Sequence, residues 1–236
     1  MHLHWYWLIL PVGIMYLSAT EAFGQAPPIV VELYTSQGCS SCPPADEFLT
    51  YLARQRPDVL PLAFHVTYWD GLGWKDPFSL EAATARQESY ARHLGDDQVY
   101  TPEMVVNGTD SFVGSRRAEG LSKISRAANN SAVHVPLRVK RDGRTLIVSV
   151  GSGPGRAEVL LVGFDPEHQT QVGRGENGGR TLLDSNVVRS LISAGRWTGV
   201  AAEFHTTVPP GEQVAALLQA NDGRILGAAL ITAPRS

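Results

Sequence analysis

Cysteine is scarce: of 236 residues only Cys39 and Cys42 carry a thiol. A chain of this size does not depend on so small a number of staples, and two intervening residues close too small a loop for much entropic benefit. Positive charge is not in excess either. The 20 Lys and Arg face 23 Asp and Glu, a formal net charge of -3, which argues against a nucleic-acid or polyanion partner. Long apolar runs are missing apart from "WYWLILPVGIMYL" at 5–17, which falls short of the ~20 residues of a spanning helix and is interrupted by Pro11. Followed by the small and polar "SATEAFGQA", it reads as the core and cleavage region of a secretory signal peptide covering 1–24, although the first seven residues hold no Lys or Arg. The expectation is a periplasmic or secreted protein with no stable membrane span after processing. No repeat or low-complexity tract is evident.

About 210 residues would remain, more than one typical domain. "PIVVELYT" (28–35) is a β-branched run that predicts a buried strand, and Ala45, Phe48, Leu49 and Leu52 mark the apolar face of a helix ending before Pro57. Pro43 and Pro44 suit its first turn. "VLPLAFHV" (59–66) predicts a second strand, giving a strand, helix, strand unit. Ala83, Gln87, Tyr90, Ala91 and Leu94 mark another helix, stopped by Gly95. Two short strands turn at Asn107-Gly108, and Ser115 is read as the cap of a last helix carrying Leu121, Ile124 and Ala128. Beyond Asn130 hairpins are expected at Asp142-Gly143 and Asp222-Gly223, with a strand at "AEVLLVGFDP".

The order strand, CxxC, helix, strand, helix, then "TP" before a hairpin and a closing helix resembles the thioredoxin-like superfamily. The resemblance implies that Thr101-Pro102 is cis and packs against the CxxC sulfurs, shaping a substrate site. The longer interval between Cys42 and Pro102 is taken up by an inserted aromatic and helical segment, 68–95. Over nearly the whole mature chain, "ELYTSQGCSSCPPAD", "FHVTYWDGLGWKDPF", "YTPEMVVNG" and "GENGGRTL" resemble domain-of-unknown-function family 1223, exported proteins with a thioredoxin-like N-terminal part. The fold expected is therefore an α/β thioredoxin-like domain over 27–129, followed by an all-β, sandwich-like domain over 132–234 with the boundary near 127–132. The family name implies no activity.

The chemistry comes from the pair. A CxxC at a helix start offers an accessible thiolate, Cys39, favoured by backbone amides and the helix dipole, and a resolving thiol, Cys42. Asp46 and Glu47 in the same turn would oppose that thiolate. This reading expects a thiol–disulfide oxidoreductase acting on protein or peptide thiols and disulfides, with no cofactor beyond its own redox-active disulfide. Its substrate lip would be Tyr68, Trp69, Asp70 and Trp74, near the C-terminal end of the second strand, with packing of the insert as the plainer role. Asp70 is also considered as a proton acceptor for Cys42. The alternatives are a copper or other soft-metal site on Cys39, Cys42 and His65, or a binding module with an idle disulfide. The stretch "VGRGENGGRTLLDSNVVRSL" has Gly179 where a phosphate-binding loop needs lysine, so nucleotide binding is rejected. Its Arg174, Arg180, Arg189 and Glu176 are read as a solvated or interdomain loop, with docking onto the N-terminal part or anion binding as the other roles.

Overall fold

The apolar run Ile29–Thr35 becomes β1, an interior strand buried along its whole length. Alternation sends Val30, Glu32 and Tyr34 to one face and Ile29, Val31 and Leu33 to the other. The computed structural model describes residues 27–130 and 134–231; the signal-peptide reading, on 1–24, lies outside them. After β1 come α1 (Pro43–Gln55), β2 (Val59–His65), α2 (Glu81–Leu94), β3 (Glu103–Val106), β4 (Asp110–Val113) and α3 (Arg117–Asn129). Seven strands follow: β5 (Leu137–Asp142), β6 (Thr145–Val150), β7 (Ala157–Gln171), β8 (Thr181–Trp197), β9 (Ala202–Thr207), β10 (Gln213–Ala220) and β11 (Ile225–Leu230).

The strands form an eight-stranded mixed sheet in the order β11-β10-β7-β8-β2-β1-β3-β4 and a three-stranded sheet in the order β5-β6-β9. β1 pairs parallel with β2 and antiparallel with β3. This arrangement corrects the expected fold class. A thioredoxin-like α/β domain followed by a separate all-β, sandwich-like domain would end its first sheet at β2. Instead β8, β7, β10 and β11 continue that sheet, and three helices flank it among the described residues.

The continuation is physically inconspicuous. β2 carries Pro61, which has no N–H to donate to a neighbouring strand and so suits an edge, and the ladder to β8 is a single parallel pair, Ala63 with Val187. Where the ladder fails, the Asn186 side-chain amide donates to the Pro61 carbonyl at 2.7 Å, from a backbone with φ of 49°.

Three apolar clusters hold the layers together. Ile29, Val31, Leu33, Phe48, Leu49, Leu52, Met104, Phe112 and Ile124 pack α1 and α3 on one face. On the other face Val30, Tyr34, Leu62, Phe64 and Tyr90 pack against Val162, Phe164, Ala215 and Leu217, so strands from both parts of the chain share one core. A third cluster around Trp197, Val148, Leu161 and Ala216 seats the small sheet. Each fully buried Leu or Phe contributes roughly 1.5–3 kcal/mol.

In α3 the contact with the core is close enough to invert a helix-propensity rule. A Cβ at Gly120 would lie 2.6 Å from Phe48 and 2.8 Å from Phe112. Gly120→Ala would gain about 1 kcal/mol on an exposed helix, but overpacking here costs about 1–3 kcal/mol. Urea unfolding is expected to show a net loss of stability; a gain would mean that α3 can shift off the two rings.

Candidate functional site: a covered cysteine pair

Helix α1 is anchored by the buried face of Ala45, Phe48, Leu49 and Leu52, and Pro43 opens it without losing a backbone bond. That places Cys42 at its N-cap and Cys39 one turn earlier, where Cys39 N–H donates to Ser36 O at 3.1 Å and Cys42 N–H to Cys39 O at 3.2 Å. The two sulfurs are joined in a disulfide, with Cα atoms 5.4 Å apart.

Both cysteines have 0% exposure, while Ser40 and Ser41 between them face solvent. The accessible sulfur expected at Cys39 is therefore corrected. From far along the chain, residues 172–180, the tip that joins β7 to β8, bond to this loop. Asn177 is the one buried side chain within 173–179, and its amide donates to Gln37 O at 3.0 Å and Cys39 O at 2.9 Å. Its own Oδ1 accepts from Arg180 at 2.9 Å. Beside it the Glu176 carboxylate accepts the Ser40 N–H at 3.0 Å, and Ser40, by its side chain first and its backbone second, holds that carboxyl below the ordinary value.

The aromatic insert supplies the flank. Trp69 stands against Gly38, where an added Cβ would meet its Cβ at 3.4 Å, and its indole N–H donates to Thr101 Oγ1 at 2.8 Å. Trp74 donates to Gln37 Oε1 at 3.2 Å. Thr101-Pro102 is a cis peptide, with Pro102 buried. Trp69 and Trp74 thus border the cysteine loop. Tyr68 is turned to Gln87, its hydroxyl donating at 3.1 Å and its pKa raised by burial to about 12. Asp70 is held within the insert, accepting from the Asp76 N–H at 3.2 Å and the Ser79 hydroxyl at 2.7 Å.

Beneath the loop lies a buried polar cluster. Asp46 accepts from Thr35 Oγ1 at 2.7 Å, Asp184 from Gln37 Nε2 at 2.7 Å, and Asp76 from the Gln37 N–H at 2.8 Å. The second Asp76 contact is His65 Nδ1 at 2.7 Å, with both side chains fully buried. Burial, with Asp184 adding to it, pushes Asp46 up to about 8. Asp184 is raised, chiefly by burial. For His65 burial pulls downward, but Asp76 outweighs it and, with Asp184 and Asp46, pushes the imidazole up to about 9. Asp76 goes below its ordinary value, since its contacts with His65 and two backbone N–H groups outweigh burial. His65 Nε2 has no hydrogen-bond partner among the described residues.

The alternative ligand set Cys39, Cys42 and His65 does not come together. The cysteines are bonded to each other, Asp76 takes the imidazole, and no group of three His, Cys, Asp or Glu side chains among the described residues is placed to hold a metal. No described helix is long and apolar enough to cross a membrane. Of the arginines read as one loop, Arg189 sits in β8, 3.7 Å from Asp165 and over the Phe78 ring at 5.0 Å. Thr181–Trp197 is strand, so the loop reading is corrected to the tip alone. Sequence reasoning missed Asn177, Gln37, Asp76 and Asp184, none of which belongs to a periodic pattern; Glu176 did carry the docking role considered for it.

A large mixed sheet with three flanking helices among the described residues and a disulfide at a helix start, bonded by a distant hairpin tip, defines a mostly β protein with a buried cysteine pair. The chain belongs to the family described as protein of unknown function (DUF1223), whose model matches residues 30–221. The X-ray structure of a protein from Agrobacterium tumefaciens is similar to it at 31% identity and a TM-score of 0.76, over 90% of this chain and 97% of that one. HBP35 of Porphyromonas gingivalis shares the fold at 13% identity and a TM-score of 0.56, over 89% and 78%. No curated protein matches.

Proposed function

We propose that this is an exported thiol–disulfide exchange protein acting on protein or peptide thiols and disulfides through Cys39 and Cys42. The observation that carries the reading is the disulfide across the start of α1, with the two intervening serines exposed. The apolar run 5–17 and the small residues after it support export. In one direction a partner thiolate attacks Cys39 Sγ, the Cys39–Cys42 bond breaks and Cys42 leaves as a thiolate that takes a proton. A second partner thiolate then attacks the mixed disulfide, releasing Cys39. The partner dithiol is oxidised to its disulfide and the protein gains two electrons and two protons; the reverse direction oxidises the protein. The dissociable cofactor is none, and Thr101, Pro102, Trp69 and Trp74 border the partner's place.

Complete burial of both sulfurs favours a second reading, a permanent structural bond. Equilibration with defined thiol–disulfide buffers separates the two. Exchange predicts a reduction potential between about −270 and −120 mV, with insulin reduction that is lost in Cys39→Ser. A potential below about −300 mV without turnover would establish the structural bond instead.

A further inference from the structure

Three features of the covering tip belong together. Within 173–179 only Asn177 is buried, so the tip carries no apolar core of its own. Its grip on the cysteine loop consists of three hydrogen bonds, two from Asn177 and one to Glu176. The arms below it are firmly paired as far as Gln171 with Thr181, and Val172 and Arg180 close the ladder through their backbones. The tip also fits the aromatic insert through glycine alone: Gly175, at φ +79°, would carry a Cβ 3.1 Å from that of Trp74, and a Cβ at Gly73 would lie 3.2 Å from Gly175 Cα.

We propose that residues 173–179 are a latch over the Cys39–Cys42 disulfide, and that release of the Glu176 and Asn177 contacts is the event that admits a partner. The tip can lift about the end of the β7–β8 ladder without exposing any apolar cluster, because none extends into it. Lifting frees the Ser40 N–H and the Gln37 and Cys39 carbonyls together, next to the sulfurs. Those groups suit an extended polypeptide, whose main-chain carbonyl would take the Ser40 N–H now held by Glu176. Naming the partner as a cysteine-bearing polypeptide rests on the exchange reading; the closure does not.

The test is the rate at which a trialkylphosphine, tris(2-carboxyethyl)phosphine, reduces the disulfide in the whole protein. The phosphine goes irreversibly to its oxide with oxygen from water, so this rate reports access and not the potential of the pair. Glu176→Ala is expected to quicken reduction about fivefold and Asn177→Ala about thirtyfold, as befits one and two hydrogen bonds at roughly 1 kcal/mol apiece. Arg174→Ala, in the same exposed tip, is expected to match wild type. Glu176→Ala lies at the surface and is expected to stay within about 2–4 °C of the wild-type Tm; if Asn177→Ala fails to fold, Gly175→Ala, which forces a methyl toward Trp74, takes its place. Unchanged rates in the Glu176 and Asn177 (or Gly175) variants, or equal quickening by Arg174→Ala, would overturn the latch. Quickened reduction together with a potential below about −300 mV would keep the latch and defeat the exchange reading.

Discussion

Arg86→Met is expected to lower Tm by roughly 10 °C, the effect of losing about 3–5 kcal/mol in a chain of this size. The guanidinium donates to both carboxylate oxygens of Glu32, at 2.6 and 2.8 Å, and to the Tyr90 hydroxyl at 3.0 Å. Glu32 also accepts from the Tyr34 and Tyr90 hydroxyls, and Gln219 on β10 bonds to both Arg86 and Tyr90. Glu32, Tyr34, Arg86 and Tyr90 lie buried where the two parts of the chain share a core, with Gln219 half-buried at its edge. Methionine fills much of the arginine's volume but leaves the Glu32 carboxylate buried without its counter-charge, and that is what costs stability. Glu32→Leu combined with Arg86→Met removes both charges and is expected to recover most of the loss. Thermal unfolding followed by circular dichroism measures both; a single variant within 2–3 °C of wild type, less than about 1 kcal/mol, would mean that the network contributes little.

The second large effect is on the pH dependence of stability, which should fall as pH rises from about 6 to about 9.5. His65 has a folded pKa of about 9 against 6.5 for the free group. Its contribution is complete below 6.5 and disappears as pH climbs through 9. Asp46, at about 8 against 3.8, binds its proton more tightly in the fold, and Asp184 shifts the same way, so both also lose stability as pH rises. Asp76 acts oppositely, since its lowered pKa gives stability that is lost only as pH falls through the acid range. The optimum therefore lies near pH 4, where Asp46 and Asp184 still hold their protons at no cost and Asp76 is already ionised, and each proton bound only by the fold adds about 1.4 kcal/mol per pH unit to the slope above it. Urea midpoints at about pH 6 and 9.5 test this, and Asp46→Asn, which keeps an acceptor for Thr35, should flatten the decline. Equal midpoints, or an unaltered slope in the variant, would remove the cluster from the account.

Features fixed by near neighbours were legible in the chain. β1 and α1 follow from a β-branched run and an i, i+3, i+4, i+7 stripe, and the turns at Asn107-Gly108, Asp142-Gly143 and Asp222-Gly223 fall between paired strands. Ser115 was less informative, because α3 starts at Arg117 after Arg116 at the N-cap, with no side-chain cap bond. Lateral contacts were illegible. The seam of Ala63 and Val187 joins residues 124 positions apart in a strand whose proline suggests an edge. The register shifts at Val159/Leu160 and Gly163/Phe164 break the alternation that would reveal β7 and β8 as long strands. At the site the cysteine pair was plain, but its cover was not. Asn177 acts through a side-chain amide on backbone carbonyls 138 and 140 residues away, and no spacing rule encodes such a bond.

The distance along the chain between the disulfide loop and its cover has a consequence in time. Ser40 leaves the ribosome 136 residues before Glu176, an interval of roughly 7–27 s at ordinary rates of synthesis. Throughout it the cysteines of every newborn molecule stand bare. Within that interval the pair is open to any thiol reagent, because the residues that later lie across it have not yet been made.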